Sequence, residues 1–289
     1  MKKFAESGKM RMKNSQEKFQ DLRRRMKSYA KEDVMLAFSG GVDSSFLLWM
    51  ACEQAKVYGT KVYAAYLQTM LHPSGEKQAA AKEAKKAGAI FLELKIDELT
   101  DAGIKENPND RCYRCKKFLF QKIKELADKL EVSVVMEGTN EDDLHVWRPG
   151  IKAVRELKIL SPLADAGLTK KEIRQFAKEY HISVSNKPSM PCLATRFPYG
   201  TELSYEKLKR VDQAERYLRN LGLYNVRARI HGETARIEAD PDSFACVMEH
   251  RESVVSHLKQ LGYSYVTLDL EGFRSGSMDI YIQKEEGGF

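Results

Sequence analysis

The sequence predicts an α/β fold: a doubly wound parallel sheet over about residues 33–187, followed by a smaller α+β domain over residues 188–289. Three observations predict it. Short apolar runs of the kind buried in parallel sheets alternate with segments of helical period. The first run breaks at Gly40-Gly41 and passes directly into a helical pattern, as a strand-to-helix turn does. Past Lys187 the pattern changes, with Pro188, Pro191 and Pro198 close together and strands arriving in pairs.

Residues 1–32 read as a basic extension carrying one helix, from about Asn14 to Ala30. VMLAFS (34–39) is a buried strand and SSFLLWMACEQAKVYG (44–59) a helix. KVYAAYLQT (61–69) and IFLELKI (90–96) are strands around the helix GEKQAAAKEAKKAG (75–88). A loop marked by Asn107-Pro108-Asn109 leads to the helix KKFLFQKIKELADKL (116–130) and the strand VSVVMEG (132–138). ILSPL (159–163) reads as a further short strand before the helix TKKEIRQFAKEYH (169–181). In the second domain, SYEKLKRVDQAERYLRNLG (204–222) is a helix. NVRARIH (225–231) and TARIEAD (234–240) are strands split by His231-Gly232-Glu233. One helix is expected from about Pro241 to Leu261, then the strand YVTLDL (265–270), a Gly/Ser-rich turn and MDIYIQ (278–283).

The chain has 289 residues, 43% of them apolar, which is enough for a real core. No apolar run approaches the roughly 18 residues of a membrane span. The N-terminal MKKFAESGKMRMKNSQEK lacks the apolar stretch of a secretory signal, so a cytoplasmic protein is expected. Net charge is +7, but residues 1–31 carry +8 and the remainder −1. The balanced body argues against nucleic acid as a partner. The basic cluster reads as a solvated helix face, or else as a contact for phosphate, RNA or a partner subunit.

Ser39-Gly40-Gly41-Val42-Asp43-Ser44-Ser45 lies where backbone amides and the positive end of a helix converge on an anion. Gly40 and Gly41 let the backbone approach phosphate oxygens without a Cβ in the way. Ser44 and Ser45 cap the first turn and offer hydroxyls. Asp43 suits Mg2+, directly or through water, where a triphosphate such as ATP is bound. The loop has no GK[ST] and so is not a Walker A sequence. Gln68 and Thr69, and the turn Gly138-Thr139-Asn140, fall at strand ends that face a nucleotide at the sheet's carboxyl edge.

Of the five cysteines, Cys52 and Cys246 sit in apolar helical stretches and read as core thiols. The others are Cys112 and Cys115 in Arg111-Cys112-Tyr113-Arg114-Cys115-Lys116, and Cys192, near the cations Lys187 and Arg196 that favour a thiolate. A lone C-x-x-C fits zinc, redox or iron–sulfur chemistry. Three readings stay open. Cys112, Cys115 and Cys192 hold a 4Fe-4S cluster with one iron free for sulfide or a substrate atom. They hold zinc completed by a carboxylate or water. Or the first two are a structural pair and Cys192 a separate nucleophile.

SGGVDSS resembles the SGGxDS fingerprint of PP-loop ATP pyrophosphatases, which have an adenine nucleotide alpha hydrolase-like fold. That resemblance implies AMP transfer with pyrophosphate release rather than γ-phosphate transfer. Taken with RCYRCK, EGTNEDD, WRPG, SPL, KPSMPCLATRFPYG, AERYLRNLG, VRARIHGETARIEAD and LDLEGFRSGSM, the chain resembles the LarE family over about residues 15–289. These are sulfur transferases of nickel-pincer nucleotide cofactor synthesis. The resemblance implies a small-molecule nucleotide substrate, pyridinium-3,5-biscarboxylic acid mononucleotide, whose carboxylates are adenylated and become thiocarboxylates. Many members have one cysteine at the position of Cys192 and sacrifice its sulfur, leaving dehydroalanine. Three cysteines look like the cluster-bearing branch, in which sulfide is the donor. The resemblance also places Lys116 and Asp143 near the reacting phosphate or Mg2+. It makes Arg227 and Arg229, two apart on one strand, a clamp for the substrate phosphate, with Arg196 and Glu215 beside them; the plain alternative is a solvated strand face. Glu215 and Asp269 would hold a metal or position those arginines, and the assembly would be a homohexamer.

A PP-loop tRNA thiolase is the main rival, because some use the same three-cysteine cluster. Such enzymes often add zinc-ribbon cysteine pairs, which this sequence lacks. An ammonia-using synthetase needs no cysteine triad, and an iron–sulfur carrier needs no phosphate loop.

Overall fold

A computed structural model describes residues 14–73, 75–146, 148–187 and 191–279. Asn14 and Glu17 form a reciprocal capping box that starts α1 (Ser15–Tyr29). This basic helix is amphipathic. It buries Phe19, Leu22 and Met26, and Phe19 stacks on Phe176 with ring centroids 4.5 Å apart. Its arginines stay near solvent, where Arg23 pairs with Glu53 and Arg24 with Asp21.

β1 (Val34–Ala37) passes through the glycine turn into α2 (Val42–Tyr58). β2 (Val62–Gln68), α3 (Glu76–Ala87) and β3 (Ile90–Lys95) follow, then the short α4 (Glu98–Asp101) and the long α5 (Arg111–Lys129). β4 (Val134–Met136) precedes the short helices α6 (Gly150–Glu156) and α7 (Pro162–Asp165), and α8 (Lys170–Glu179) completes the layer. The four strands are parallel in the order β3-β2-β1-β4, with helices on both faces. β1 and β4 are adjacent, and the strand order reverses between them. That is the crevice where such sheets bind ligands beyond their carboxyl ends.

Two expectations shift here. ILSPL is not a strand: only Leu160 bridges, to Met136, and Pro162 begins α7. Proline suits a first helical turn and cannot donate to a ladder. α5 begins at Arg111 rather than Lys116, because the Pro108 carbonyl accepts from Arg111 N and Asp110 starts the helical ladder. Cys112 and Cys115 therefore lie on its first turn.

In the second unit a 3-10 turn, Leu193–Arg196, leads to α9 (Tyr205–Asn220). β5 (Val226–His231) pairs antiparallel with β6 (Thr234–Ala239). The single helix expected over 241–261 is two, α10 (Phe244–Glu249) and α11 (Arg251–Gln260). They part at His250, whose ψ of 15° leaves the helical region and whose carbonyl accepts from Val254 N and Ser253 Oγ. β7 (Tyr265–Leu268) lies parallel to β6. Of the expected strand MDIYIQ, Met278 and Asp279 lie in or beside a turn, and the rest falls outside the described residues.

The core of the second unit draws in Leu71, Leu99 and Ile104 from loops of the first. Burying each such side chain contributes about 1.5–3 kcal/mol, which ties the two units together.

Candidate active site

The phosphate loop owes its shape to close packing. Gly40 has φ +72°, and a Cβ there would lie 2.9 Å from Ala80 Cβ on α3. Ser44 Oγ donates to Gly41 O at 3.2 Å and lies 3.2 Å from Ser39 Oγ. No side chain caps α2, whose N-cap is Gly41, so the orphan amides of its first turn are left to an anion. A pocket of about 180 Å³ opens in front. Ser39, Gly41, Val42 and Asp43 form one wall; Tyr66, His72, Pro73 and Glu76 form the facing one, and Lys170 and Lys187 close it.

Asp43 pairs with Lys170, and Glu76 with Lys187. Burial pushes the Asp43 carboxyl up despite Lys170, and the neighbouring Asp143 adds to the rise. Its Oδ1 is buried without a hydrogen-bond partner. An orphaned carboxylate oxygen near a second carboxylate is a hard-donor set that fits Mg2+. Burial drives His72 towards its neutral form, against a bond to the Leu67 backbone.

The loop after β4 packs against this turn. A Cβ on Gly138 would sit 3.1 Å from Ser44 N, so glycine permits the approach. Glu137 organises the loop by accepting from Thr139 N at 3.0 Å, Thr139 Oγ1 at 2.8 Å and Ser161 Oγ at 2.6 Å. Lys116 reaches it from α5 at 3.7 Å, with its stem lying over Gly150, where a Cβ would come within 2.6 Å of Lys116 Cδ. Asn140 and Asp143 bond reciprocally, and Arg148 holds the other Asp143 oxygen at 2.9 Å. Gln68 is exposed at the end of β2 and Thr69 is buried beyond it; neither lines the pocket, whose wall on that side is Tyr66 and His72.

Cys112, Cys115 and Cys192 share one neighbourhood. Burial, then the charges of Cys192, Glu98 and Cys112, push the Cys115 thiol up. Burial pushes Cys192 up as well, opposed by Arg111. The backbone explains the meeting. Leu193 N donates to Leu71 O at 2.7 Å, and Glu98, fully buried on α4, accepts from Leu71 N at 2.9 Å. Arg111 Nη1 reaches Ala194 O at 3.4 Å. Among the described residues, no three His, Cys, Asp or Glu side chains close on a single ion. A cubane spreads its thiolates over different irons and needs no such closure, so this soft donor set fits a 4Fe-4S cluster better than zinc. Cys52 is a core thiol, raised to about 12 by burial, and Cys246 Sγ points to Leu221 O at 3.5 Å.

Next to Cys192 stands a buried arginine–carboxylate cluster. Arg196, 1% exposed, grips Glu215 through both Nε (2.7 Å) and Nη2 (2.9 Å). Its Nη1 also reaches Cys192 O at 3.3 Å. Arg229 pairs with Glu238 at 2.9 Å and donates to Thr195 O. Arg236 bridges Glu238 and Asp269. Arg227 and Arg229 are each 5% exposed, so they do not form a solvated strand face. Burial, then the crowding cations Arg196, Arg229 and Arg219, lowers Arg227 to about 10.

Sequence reasoning put Lys187 beside Cys192; the structure puts it over the nucleotide pocket. Lys170, Glu76, Tyr66, His72, Glu137 and Glu238 were not singled out. For Lys170 there was a signal, since the capping box of Thr169 and Glu172 starts a helix at the sheet's carboxyl edge.

A family model described as a PP-loop domain matches residues 12–146. An uncharacterised protein of Synechocystis is 37% identical over 256 residues, covering 87% of this chain and 93% of that one. The pyridinium-3,5-bisthiocarboxylic acid mononucleotide synthase of Lactiplantibacillus plantarum is 35% identical over 254 residues, covering 88% and 91%. An uncharacterised protein of Methanocaldococcus jannaschii is 33% identical over 247 residues, covering 86% and 93%.

Proposed function

The chain belongs to the LarE family of PP-loop, ATP-using sulfur transferases, and we propose that it converts both carboxylates of pyridinium-3,5-biscarboxylic acid mononucleotide into thiocarboxylates. The observation that carries this reading is the tie between the Cys192 segment and the head of α5, through Leu193–Leu71 and Arg111–Ala194, beside an anion-ready glycine turn.

ATP enters the pocket with its phosphates on the amides of Gly40, Gly41 and the first turn of α2. Asp43 and Asp143 are the oxygen donors for Mg2+, which when bound neutralises phosphate charge. Lys170 swings from Asp43 to the phosphates, and Lys116 serves the same end from α5. A substrate carboxylate oxygen attacks the α-phosphorus, and pyrophosphate leaves. In the acyl-adenylate the carbonyl carbon accepts a sulfur anion: the C–S bond forms, the C–O bond to AMP breaks, and AMP departs with the electron pair. A hydrosulfide donor gives its proton to solvent. Arg227 and Arg229 hold the substrate phosphate, whose negative charge relieves their mutual crowding. Cys112, Cys115 and Cys192 would hold a 4Fe-4S cluster, which when bound supplies an iron with an open position for exogenous sulfide. The same reading makes the protein a cytoplasmic homo-oligomer.

Isotope exchange between pyrophosphate and ATP tests the adenylation. Exchange should require Mg2+ and the dicarboxylate nucleotide. Exchange driven by tRNA instead, or ADP as the product, would overturn the reading.

A further inference from the structure

We propose that Arg111 is the anion-holding residue of the three-thiol pocket, recognising a sulfur anion, either free hydrosulfide or the same sulfur held on iron. The inference rests on the sulfur-transfer reading above and deepens it.

Arg111 sits at the head of α5 and is 2% exposed. Its Nη2 lies 3.7 Å from Cys112 Sγ. Its Nη1 donates to Asn107 Oδ1, and the guanidinium carbon stands 5.1 Å above the Tyr199 ring. Its Nε is buried without a partner. Among the described residues no carboxylate forms an ion pair with it, although a buried cation ordinarily has a counter-ion. Arg196, the other guanidinium near Cys192, makes the contrast: Glu215 neutralises it through two bonds.

The remaining ionisable neighbours leave the imbalance in place. Glu98 faces Cys115, and burial holds it towards its neutral form. The Tyr199 hydroxyl is already given to Asp279 at 2.9 Å. The negative charges that Arg111 feels are those of Cys192 and Cys112. The pocket therefore presents a fixed cation, an unused N–H and soft thiol walls. That combination selects a small, soft anion.

Anaerobic calorimetry of the full-length apo protein with sodium hydrosulfide tests this on wild type, Arg111→Gln and Arg111→Lys. Glutamine keeps donors for Asn107 and Ala194 but loses the charge; lysine keeps the charge. Wild type should bind, glutamine should lose about tenfold or more, and lysine should stay within about threefold. In reconstituted protein, the glutamine variant should retain less added sulfide after gel filtration and show a lower midpoint potential. Iodide soaked into wild-type crystals should lie against the guanidinium, a result that needs no variant. Equal binding by wild type and glutamine variant, no hydrosulfide binding by wild type, or iodide elsewhere would each overturn the proposal. So would a glutamine variant that loses only the nucleotide substrate, since Arg111 would then serve a carboxylate. Pyrophosphate exchange run in parallel separates the two claims: its absence in wild type defeats the adenylation reading, while hydrosulfide binding is judged by itself.

Discussion

Gly40→Ala probes the phosphate loop with one methyl group. At φ +72° an L-residue is strained by about 1–2 kcal/mol. The new Cβ would lie 2.9 Å from Ala80 Cβ and 3.3 Å from Ala80 Cα, and neither atom can rotate away. Overpacking of that kind costs about 1–3 kcal/mol. The variant should therefore lose roughly 2–5 kcal/mol in urea denaturation, unless the loop shifts off α3 and trades part of this for misplaced amides. Either way the KM for ATP in pyrophosphate exchange should rise about tenfold or more. Ala80→Gly supplies the control, because it removes the collision and leaves the backbone strain. Alone it should cost about 1 kcal/mol; with Gly40→Ala it should restore about 1–3 kcal/mol relative to additivity. A Gly40→Ala protein with unchanged stability and unchanged KM would refute the reasoning.

Three further outcomes follow from the same geometry. Lys170→Ala should lower kcat/KM for ATP about 10–100-fold in the exchange assay while leaving the far-UV spectrum intact, since Lys170 acts through charge at the pocket. Arg196→Ala should cost about 3–5 kcal/mol by stranding the fully buried Glu215, and pairing it with Glu215→Leu should recover much of that in denaturant titrations. Glu172 titrates at about 2: burial opposes its ionisation, but Ser15, Thr169 and Lys18 outweigh it. Its folded pKa is depressed, so the stability it contributes is present above the ordinary value of 4.5 and is lost as pH falls towards 2. Glu172→Gln should cost roughly 2–3 kcal/mol at neutral pH and flatten stability against pH across that window, followed by thermal melts.

The parallel sheet was legible because its strands are buried on both faces and read as continuous apolar runs, as VMLA does. The glycine turn was legible because local sequence sets it. The pocket's far wall was not. Tyr66, His72, Glu76 and Lys187 come from separate elements, and only the winding of the sheet brings them together. The start of α5 was misplaced because Asn107-Pro108-Asn109 punctuates the loop, while the clean amphipathic period begins at Lys116. Alternation in β5 put Val226, Ala228 and Ile230 on one face and suggested solvent for Arg227 and Arg229. The 3-10 turn before α9 and the Phe273 ring cover that second face as well. Burial of charge on this scale depends on partners such as Glu215 and Glu238, and their proximity lies in tertiary contacts that no local pattern records.

The most direct measurement is a count of thiocarboxylates formed per protomer. Reconstituted protein is incubated anaerobically with ATP, Mg2+, sulfide and the dicarboxylate nucleotide, and the intact mass of the chain is read afterwards. Several products per protomer, with Cys192 keeping its sulfur, is the predicted result. A halt after one product with Cys192 converted to dehydroalanine would contradict the account, as would thiocarboxylate formed without ATP.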